Sequence, residues 1–242
     1  MRLIIWNTHV GHRGREALQA QALRSVDADL AVLVEVVEGA GHAALFSRAW
    51  RHHAFARARR RAGGGRQGTL ILSKQPLHVL GRWDLSNHRL ERRVALCVSL
   101  PGGLHLVALH LDLTGLGRRL QWEKLESRME GVLPDGAPLL LAGDCNDGSA
   151  SLERRLAARG FQEAHRAVHG RSARTFPSRA PLLALDRIYG RGVAFTKATR
   201  LSGEPWRGLS DHLPLVAELG GGAADGSDFS CSSSVRKRPK ME

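Results

Sequence analysis

Short apolar runs recur along this chain, and each of them adjoins polar residues. The clearest run is Leu139–Ala142, which is followed by Gly143, Asp144 and Asn146. An apolar run of this length next to a glycine predicts a buried strand that ends in a turn. Asp144 and Asn146 are separated by one residue, so they project in the same direction and together suit a metal ion or a phosphoryl oxygen. A polar turn after a core strand is the alternative explanation.

The same pattern predicts strands and helices along most of the chain. Apolar runs that indicate strands occupy residues 3–6, 30–34, 68–73, 77–83, 94–98, 104–109, 139–142, 182–189, 193–199 and 213–219. Helical spacing indicates helices over 16–26, 116–132 and 151–159 and favours a short helix at 43–50. Successive strands without a helix between them imply antiparallel pairing, and the strand at 77–83 is expected beside the strand at 68–73.

The helices are expected to bury apolar stripes. The stripe of the first helix holds Leu18, Ala22 and Val26. The second helix leaves Arg118 for its outer face, and Ser149 is expected to cap the third. The stripe of the second helix holds Leu116, Leu120, Leu125 and Met129.

Two stretches break this pattern. Residues 57–66 combine five arginines with a run of glycines, which predicts a mobile basic loop rather than packed structure. Such a loop either grips phosphates from the rim of a site or is a solvated insertion. From Gly220 onward small and charged residues predominate, so 220–242 is predicted to be a disordered tail beside one catalytic domain over 1–219.

Composition narrows the class of protein. The chain has 242 residues, of which 43% are hydrophobic, and this suits one domain with a sizeable core. It has no apolar run long enough to cross a membrane, and its first apolar run is too short for a signal peptide, so we expect a cytoplasmic protein. Cys97, Cys145 and Cys231 are far apart and odd in number, which argues against a disulfide framework or a zinc cluster.

The net charge of +13 arises from 36 basic and 23 acidic residues. A domain this basic favours an anionic partner, which is nucleic acid, a phosphorylated metabolite or an anionic lipid surface. Arginine-rich coding without functional meaning explains the same charge equally well. The charge therefore supports an anionic substrate without identifying it.

Nine polar residues stand at the ends of the predicted strands. Oxygen-rich sets favour hard cations such as Mg²⁺ or Mn²⁺, whereas zinc prefers more histidine or cysteine. Phosphate-ester hydrolysis needs a metal that neutralises charge, a base that activates water, and donors that stabilise the developing charge. Histidine is the natural base near neutral pH. The set comprises Asn7, Glu35, Glu91, His110, Asp144, Asn146, Asp186, Asp211 and His212.

Seven short motifs follow one another from the first predicted strand to the last. They are Trp6-Asn7-Thr8-His9, the strand ending in Glu35, Gly68-Thr69-Leu70-Ile71-Leu72-Ser73, His110-Leu111-Asp112, Gly143-Asp144-Cys145-Asn146, Leu185-Asp186-Arg187-Ile188 and Ser210-Asp211-His212. In this order they resemble the endonuclease/exonuclease/phosphatase superfamily, and the details are closest to its small bacterial members. The resemblance implies an α/β fold, a four-layer α/β sandwich in which two mixed β-sheets pack face to face with helices outside.

The resemblance also implies which residues hold a metal and the phosphate. Glu35 resembles the principal metal-binding carboxylate, with Asn7 beside it, and Asp211 resembles a further carboxylate of the metal site. Asp144 and Asn146 resemble the pair that orients water and phosphate.

The remaining matched residues resemble acid–base groups. His212 resembles the general base, and Asp186 resembles the carboxylate that orients it. His110 resembles the second histidine of pancreatic-type deoxyribonucleases and sphingomyelinases, and Glu91 resembles the acid that pairs with it. Asn7, Asn146 and His110 are expected to stabilise the phosphoryl oxygens.

Two positions depart from the family pattern. His9 stands where some members carry an acidic ligand, which weakens the case for a second tight metal site. Cys145 replaces the usual phenylalanine, a change that we expect to affect packing rather than chemistry.

Together these observations predict a Mg²⁺- or Mn²⁺-dependent phosphodiesterase that uses activated water, with DNA or RNA as the favoured substrate. The aromatic content of 5% leaves few residues for base stacking beyond Trp50, Trp83 and Trp206. A phospholipid or inositol-phosphate phosphodiesterase or phosphatase with the same site is the alternative. A non-catalytic anion-binding protein has less support. We expect a monomer.

Overall fold

The chain forms two six-stranded sheets with helices on their outer faces. Each sheet is mixed, because it contains one parallel pair of strands among antiparallel pairs. The structure is a computed structural model that describes residues 1–11, 14–38, 50–60, 65–87, 92–149 and 151–220.

The order of the elements along the chain differs from their order in the sheets. In chain order the strands and helices are β1 (Arg2–Asn7), α1 (Glu16–Ser25), β2 (Leu30–Val37), β3 (His52–Arg60), β4 (Arg66–Ser73), β5 (His78–Asp84), β6 (Val94–Ser99), β7 (His105–His110), α2 (Gly115–Glu130), β8 (Leu139–Asp144), α3 (Ser151–Ala157), β9 (Gln162–Glu163), α4 (Ala164–His169), β10 (Asp186–Arg191), β11 (Phe195–Arg200), α5 (Trp206–Leu209) and β12 (Leu215–Leu219). The first sheet has the order β11-β12-β1-β2-β4-β3, and the second has the order β5-β6-β7-β8-β10-β9.

Apolar side chains alternate between the two faces of each sheet, and this alternation builds the layers. Leu3 and Ile5 of β1 point into the core between the sheets. Ile4 points outward and belongs with Leu23 of α1 to a second cluster, while Leu125 of α2 belongs to a third cluster on the other sheet. The sheets thus pack face to face with helices outside, which confirms the predicted four-layer α/β sandwich.

The prediction of a loose basic loop over residues 57–66 is wrong for the part of it that the structure describes. β3 and β4 pair as an antiparallel hairpin, with Arg57 opposite Gly68. Ala54 and Ala56 are buried toward the core between the sheets, so β3 alternates small apolar side chains with long polar ones. Because alanine is only weakly apolar, this alternation does not stand out in the sequence.

Two further local expectations are wrong. The strand predicted at 77–83 is β5, which pairs with β6 in the second sheet rather than with β4 in the first. The N-terminus of α3 is capped by Asp147 rather than by Ser149, because the Asp147 carboxylate accepts the backbone N–H of Leu152 at 2.7 Å.

The predicted apolar stripes of the first two helices are partly wrong. Leu18 of α1 is 52% exposed, and Leu116 and Leu120 of α2 are 68% and 38% exposed. The buried face of α2 carries the predicted Leu125 and Met129 together with Trp122, which was not predicted. Trp122 belongs to the apolar cluster on the second sheet, whereas the two N-terminal leucines face solvent.

Some predictions concern parts of the chain outside the described ranges. These are most of the helix at 43–50, the acid Glu91 and the tail from 221 to 242. Among the described helices, none has the length and apolarity needed to cross a membrane.

Candidate active site

Polar residues from both sheets meet at one end of the sandwich. The parallel pair β7–β8 places His110 opposite Asp144, and the antiparallel strand β10 places Asp186 opposite Asp144 as well. In the first sheet, Asn7 ends β1, and β2 runs parallel to it toward Glu35. A cleft of about 790 Å³ opens between these strand ends.

Three backbone features shape this end of the sandwich. A methyl group on Gly143 would lie 2.0 Å from the carbonyl oxygen of Leu109, so only glycine allows β8 to approach β7 this closely. Glu35 has a φ of 59° within an irregularity of the β2–β4 pairing, which turns its side chain away from the regular alternation. Asn146 also has a positive φ of 49°. Non-glycine residues in this region of backbone space are uncommon and cluster at functional sites.

Asn7 links two carboxylates of the cleft. Its Nδ2 donates to Asp144 Oδ2 at 3.0 Å and to Glu35 Oε1 at 3.4 Å. Its Oδ1 accepts the backbone N–H of His9 at 2.9 Å, which determines the orientation of the amide. Burial raises the pKa of the Glu35 carboxyl and the charge of Asp144 adds to this rise, although the bond to Asn7 opposes it.

The donor set of the cleft fits a hard divalent cation. Asp144, Asp186 and His212 are buried, and their potential ligand atoms all lie within 4.8 Å of one another. Asp186 Oδ1 is buried and has no hydrogen-bond partner among the described residues. Glu35 adjoins this group through Asn7, and burial raises the pKa of its carboxyl. Carboxylate oxygens in such a cluster are the ligands that Mg²⁺ or Mn²⁺ prefers.

His212 and Asp186 form a buried acid–base pair. His212 Nδ1 donates to Asp186 Oδ2 at 2.7 Å, which leaves Nε2 facing Asp144 Oδ2 at 3.8 Å. Although burial by itself lowers the pKa of His212, the charges of Asp186, Asp144 and Asp211 outweigh it and raise the pKa to about 10. Trp6 Nε1 donates to the carbonyl of His212 at 2.9 Å and holds its backbone in place.

His110 is held in one tautomer by an arginine. Arg93 Nη1 lies 3.3 Å from His110 Nδ1, and because a guanidinium only donates, Nδ1 accepts and Nε2 carries the proton. Nε2 faces Asp144 Oδ2 at 3.6 Å and Glu35 Oε1 at 3.9 Å. Burial lowers the pKa of His110 to about 3, and Arg93 and His212 act in the same direction against Asp144. His110 is therefore a neutral donor, while its expected partner Glu91 lies outside the described residues.

The other predicted residues lie at the edge of this group. The backbone N–H of Asn146 donates to Asp144 Oδ1 at 3.0 Å, and its side-chain amide donates to the carbonyl of Leu111 at 2.9 Å. Asp211 Oδ1 lies 3.3 Å from His9 Nδ1. The structure thus brings together every predicted site residue that it describes, and the chemical roles of these residues stay predictions.

Sequence reasoning missed several residues that line the cleft. Arg118, which was predicted for the outer face of α2, lies in the cleft wall with its side chain only 12% exposed. Its Nη1 donates to the carbonyl of Leu113 at 2.7 Å, and its Nη2 lies 3.8 Å from Asp147 Oδ1. Arg93 and Phe176 also line the cleft, and the Phe176 ring packs on His212 with centroids 4.8 Å apart. Arg93 stands two residues after Glu91, a predicted site residue, and this proximity in the sequence could have identified it.

The tryptophans that were considered for base stacking do not reach the cleft surface. Trp50, Trp83 and Trp206 are 3%, 8% and 7% exposed and belong to the apolar clusters. Cys145 is buried as well, and burial raises the pKa of its thiol well above the usual value. Both findings favour packing roles for these side chains.

Comparisons with known proteins agree with the geometry. Residues 4–212 match the profile of the Endonuclease/Exonuclease/phosphatase family. The protein YbhP of Escherichia coli K12 is 38% identical over 161 residues, a stretch that covers 64% of this chain and 63% of YbhP. The chain therefore spans less than two thirds of the length of this curated relative.

Solved structures show the same fold. The endonuclease/exonuclease/phosphatase from Beutenbergia cavernae is similar with a TM-score of 0.75 and 21% identity, over 90% of this chain and 71% of that one. A mannosyl-6-phosphatase of Bacteroides thetaiotaomicron is similar with a TM-score of 0.67 and 16% identity, over 91% of this chain and 99% of that one. At these identities the likeness extends to the fold alone.

Proposed function

Because the chain belongs to the endonuclease/exonuclease/phosphatase family, we propose that it is a metal-dependent hydrolase of phosphoester bonds, and more narrowly a phosphodiesterase that cleaves nucleic acid. The observation that carries this proposal is the buried His212–Asp186 pair. This pair lies beside Asp144, and His212 and Asp144 line the same open cleft. A paired base next to clustered oxygen ligands is the arrangement that phosphoester hydrolysis needs.

The metal would be held by the carboxylates that Asn7 brings together. Glu35 and Asp144 are the main candidates, and Asp211 lies at the rim. When bound there, a divalent cation supplies positive charge that neutralises phosphoryl oxygens and lowers the pKa of the nearby His212. In our proposal Asn7 keeps these carboxylates in place through its amide N–H groups.

The protein side chains divide the remaining work. His212 takes a proton from the attacking water at Nε2, while Asp186 holds Nδ1 and stabilises the imidazolium that forms. His110 donates its Nε2–H to a phosphoryl oxygen as negative charge builds there. Asn146 lies beside Asp144 in the same wall of the cleft and is the second candidate donor.

Charge in and around the cleft supports an extended anionic substrate. Arg93 and Arg118 line the cleft, and the whole chain carries a net charge of +13. Guanidinium groups bind phosphate oxygens through paired donors, so they suit a phosphodiester backbone. This combination favours nucleic acid among the phosphoesters.

A second candidate is a phosphatase or phosphodiesterase for inositol phosphates or phospholipids. Burial of Trp50, Trp83 and Trp206 supports it, because it removes these indoles from base stacking. The shared fold with the mannosyl-6-phosphatase also shows that this architecture accommodates a phosphorylated sugar.

A substrate panel separates these candidates. Single-stranded DNA, plasmid DNA, RNA, phospholipid vesicles and inositol phosphates are each incubated with the protein and Mg²⁺ or Mn²⁺. We expect hydrolysis of nucleic acid that EDTA abolishes and that His212→Ala lowers by about a thousandfold or more. Hydrolysis of lipids or inositol phosphates alone would assign the second candidate, and activity insensitive to both EDTA and His212→Ala would refute the mechanism.

A further inference from the structure

We propose that the cleft is the middle of a longer arginine-lined track, which holds one nucleic acid strand on both sides of the scissile phosphate, so that the protein cuts strands internally. This inference rests on the proposed function and adds the mode of cleavage to it. It depends on two grooves that adjoin the cleft from opposite sides.

The first groove continues from the cleft toward β3 and β5. A narrow passage lined by Glu35, Gln67 and His110 belongs to both the cleft and this extension. Beyond it lies a groove of about 660 Å³, whose wall contains four arginines against two carboxylates. These charged residues are Arg57, Arg82, Arg92, Arg93, Glu38 and Asp84.

The second groove continues from the other side of the cleft. Gly148 and Leu183 line both the cleft and this groove, which has a volume of about 830 Å³. Its described wall contains five arginines, two histidines and no carboxylate. Glu153, which does not line the groove, pairs with Arg166 and Arg187, whereas Arg171 and Arg174 are exposed. The arginines are Arg166, Arg171, Arg174, Arg187 and Arg200.

Sheet topology places the two grooves at opposite edges of the sandwich. The first groove is built on β3 and β5, which are edge strands of the two sheets. The second is built on α4, on β11, which is the other edge strand of the first sheet, and on β10, which lies next to the other edge strand of the second sheet. The catalytic strands β1, β2, β7 and β8 lie between them. A six-stranded sheet is about 24 Å wide, so the track accommodates several consecutive phosphates.

The shape and chemistry of the track favour a nucleic acid strand over a membrane surface as its ligand. Arginines line the grooves on both sides of the cleft, and Arg93 and Arg118 line the cleft itself. The exposed side chains of Leu182 and Leu183 stand beside the second groove and offer apolar contact to bases. A strand that enters one groove and leaves by the other presents an internal phosphodiester to His212. Such a track needs no free strand end.

Cleavage of a circle tests this directly. Circular single-stranded DNA is incubated with the protein and Mg²⁺, beside a linear oligonucleotide and bis(p-nitrophenyl) phosphate. Conversion of the circle to linear fragments supports the proposal. If the linear strand is degraded from its ends while the circle stays intact, the track is refuted but the proposed function stands. If only the small ester is hydrolysed, the track and the cleavage of nucleic acid are both refuted, and only the broader assignment as a phosphoester hydrolase stands.

Binding gives a second readout that does not depend on hydrolysis. Fluorescence anisotropy in EDTA measures the affinity for a single-stranded oligonucleotide at several salt concentrations. We expect Arg92→Gln and Arg174→Gln each to weaken binding about threefold to tenfold and to reduce the salt slope by about 0.7, because each removes one phosphate contact. An effect of only one variant would show a one-sided site and refute the proposal.

Two controls complete the binding experiment. Arg24→Gln removes an exposed arginine at the end of α1. This position is next to the start of β2 and away from the end of β2 that carries Glu35, so we expect wild-type binding. Phosphatidylglycerol vesicles are added as a competitor. Displacement of the oligonucleotide by vesicles at equal phosphate concentration would assign the arginine surface to a membrane instead.

Discussion

The His212–Asp186 pair offers the sharpest test of the proposed chemistry. Asp186→Asn removes one charge and keeps the shape of a side chain that is 1% exposed. The two groups are joined at 2.7 Å, and in the hydrolytic step His212 becomes an imidazolium. At an effective dielectric constant of about 20 and a charge separation of about 4 Å, the carboxylate stabilises that cation by ~4 kcal/mol, which corresponds to about a thousandfold in rate.

The assay is steady-state hydrolysis of the substrate that the panel identifies, with saturating Mg²⁺. We expect kcat to fall about a thousandfold for Asp186→Asn with KM changed little, because the lost interaction forms in the transition state. Asp135→Asn is the matched control, since Asp135 is exposed in the turn before β8, at the other end of the strand from Asp144. A decrease of less than about tenfold in kcat, with the variant folded by circular dichroism, would refute the role of the pair.

Three further predictions concern the metal and the backbone of the site. Treatment with EDTA is expected to abolish hydrolysis, and added Mg²⁺ or Mn²⁺ to restore it; activity that survives dialysis against EDTA would exclude a metal-dependent step. Glu35→Gln is expected to weaken metal binding about tenfold or more by titration calorimetry and to raise the Tm of the metal-free protein, because burial raises the pKa of this carboxyl and the fold therefore disfavours its ionised form. A lower metal-free Tm would contradict this reasoning. Gly143→Ala is expected to destabilise the protein by about 2–3 kcal/mol in urea unfolding, since a methyl group there meets the Leu109 carbonyl, whereas Gly136→Ala, at a turn with open space, should cost about 1 kcal/mol for its positive φ alone.

Much of this protein follows from local sequence alone. The strands β1, β2 and β8 were predicted from apolar runs that end in polar residues. A buried strand needs apolar side chains on both faces, and an unpaired charge in its middle would be costly to bury. The same runs identified Asn7, Glu35 and Asp144, since these polar residues stand near the end of each strand, whereas Asp186 follows an apolar run and begins β10. These local signals located strands and candidate site residues, whereas the four-layer fold and the roles of those residues were implied by the resemblance to the family.

The tertiary structure alone decided how those residues work together. The contact of Arg93 with His110 joins the residue before β6 to the last residue of β7, and Arg118 lies in the cleft wall because α2 packs on the second sheet through Trp122 and Leu125. The first arginine groove likewise arises because the edge strands β3 and β5 of different sheets lie side by side, and the second lies where α4 adjoins β11. Such contacts depend on packing between segments that are distant in the sequence, so the periodicity of a single element does not predict them.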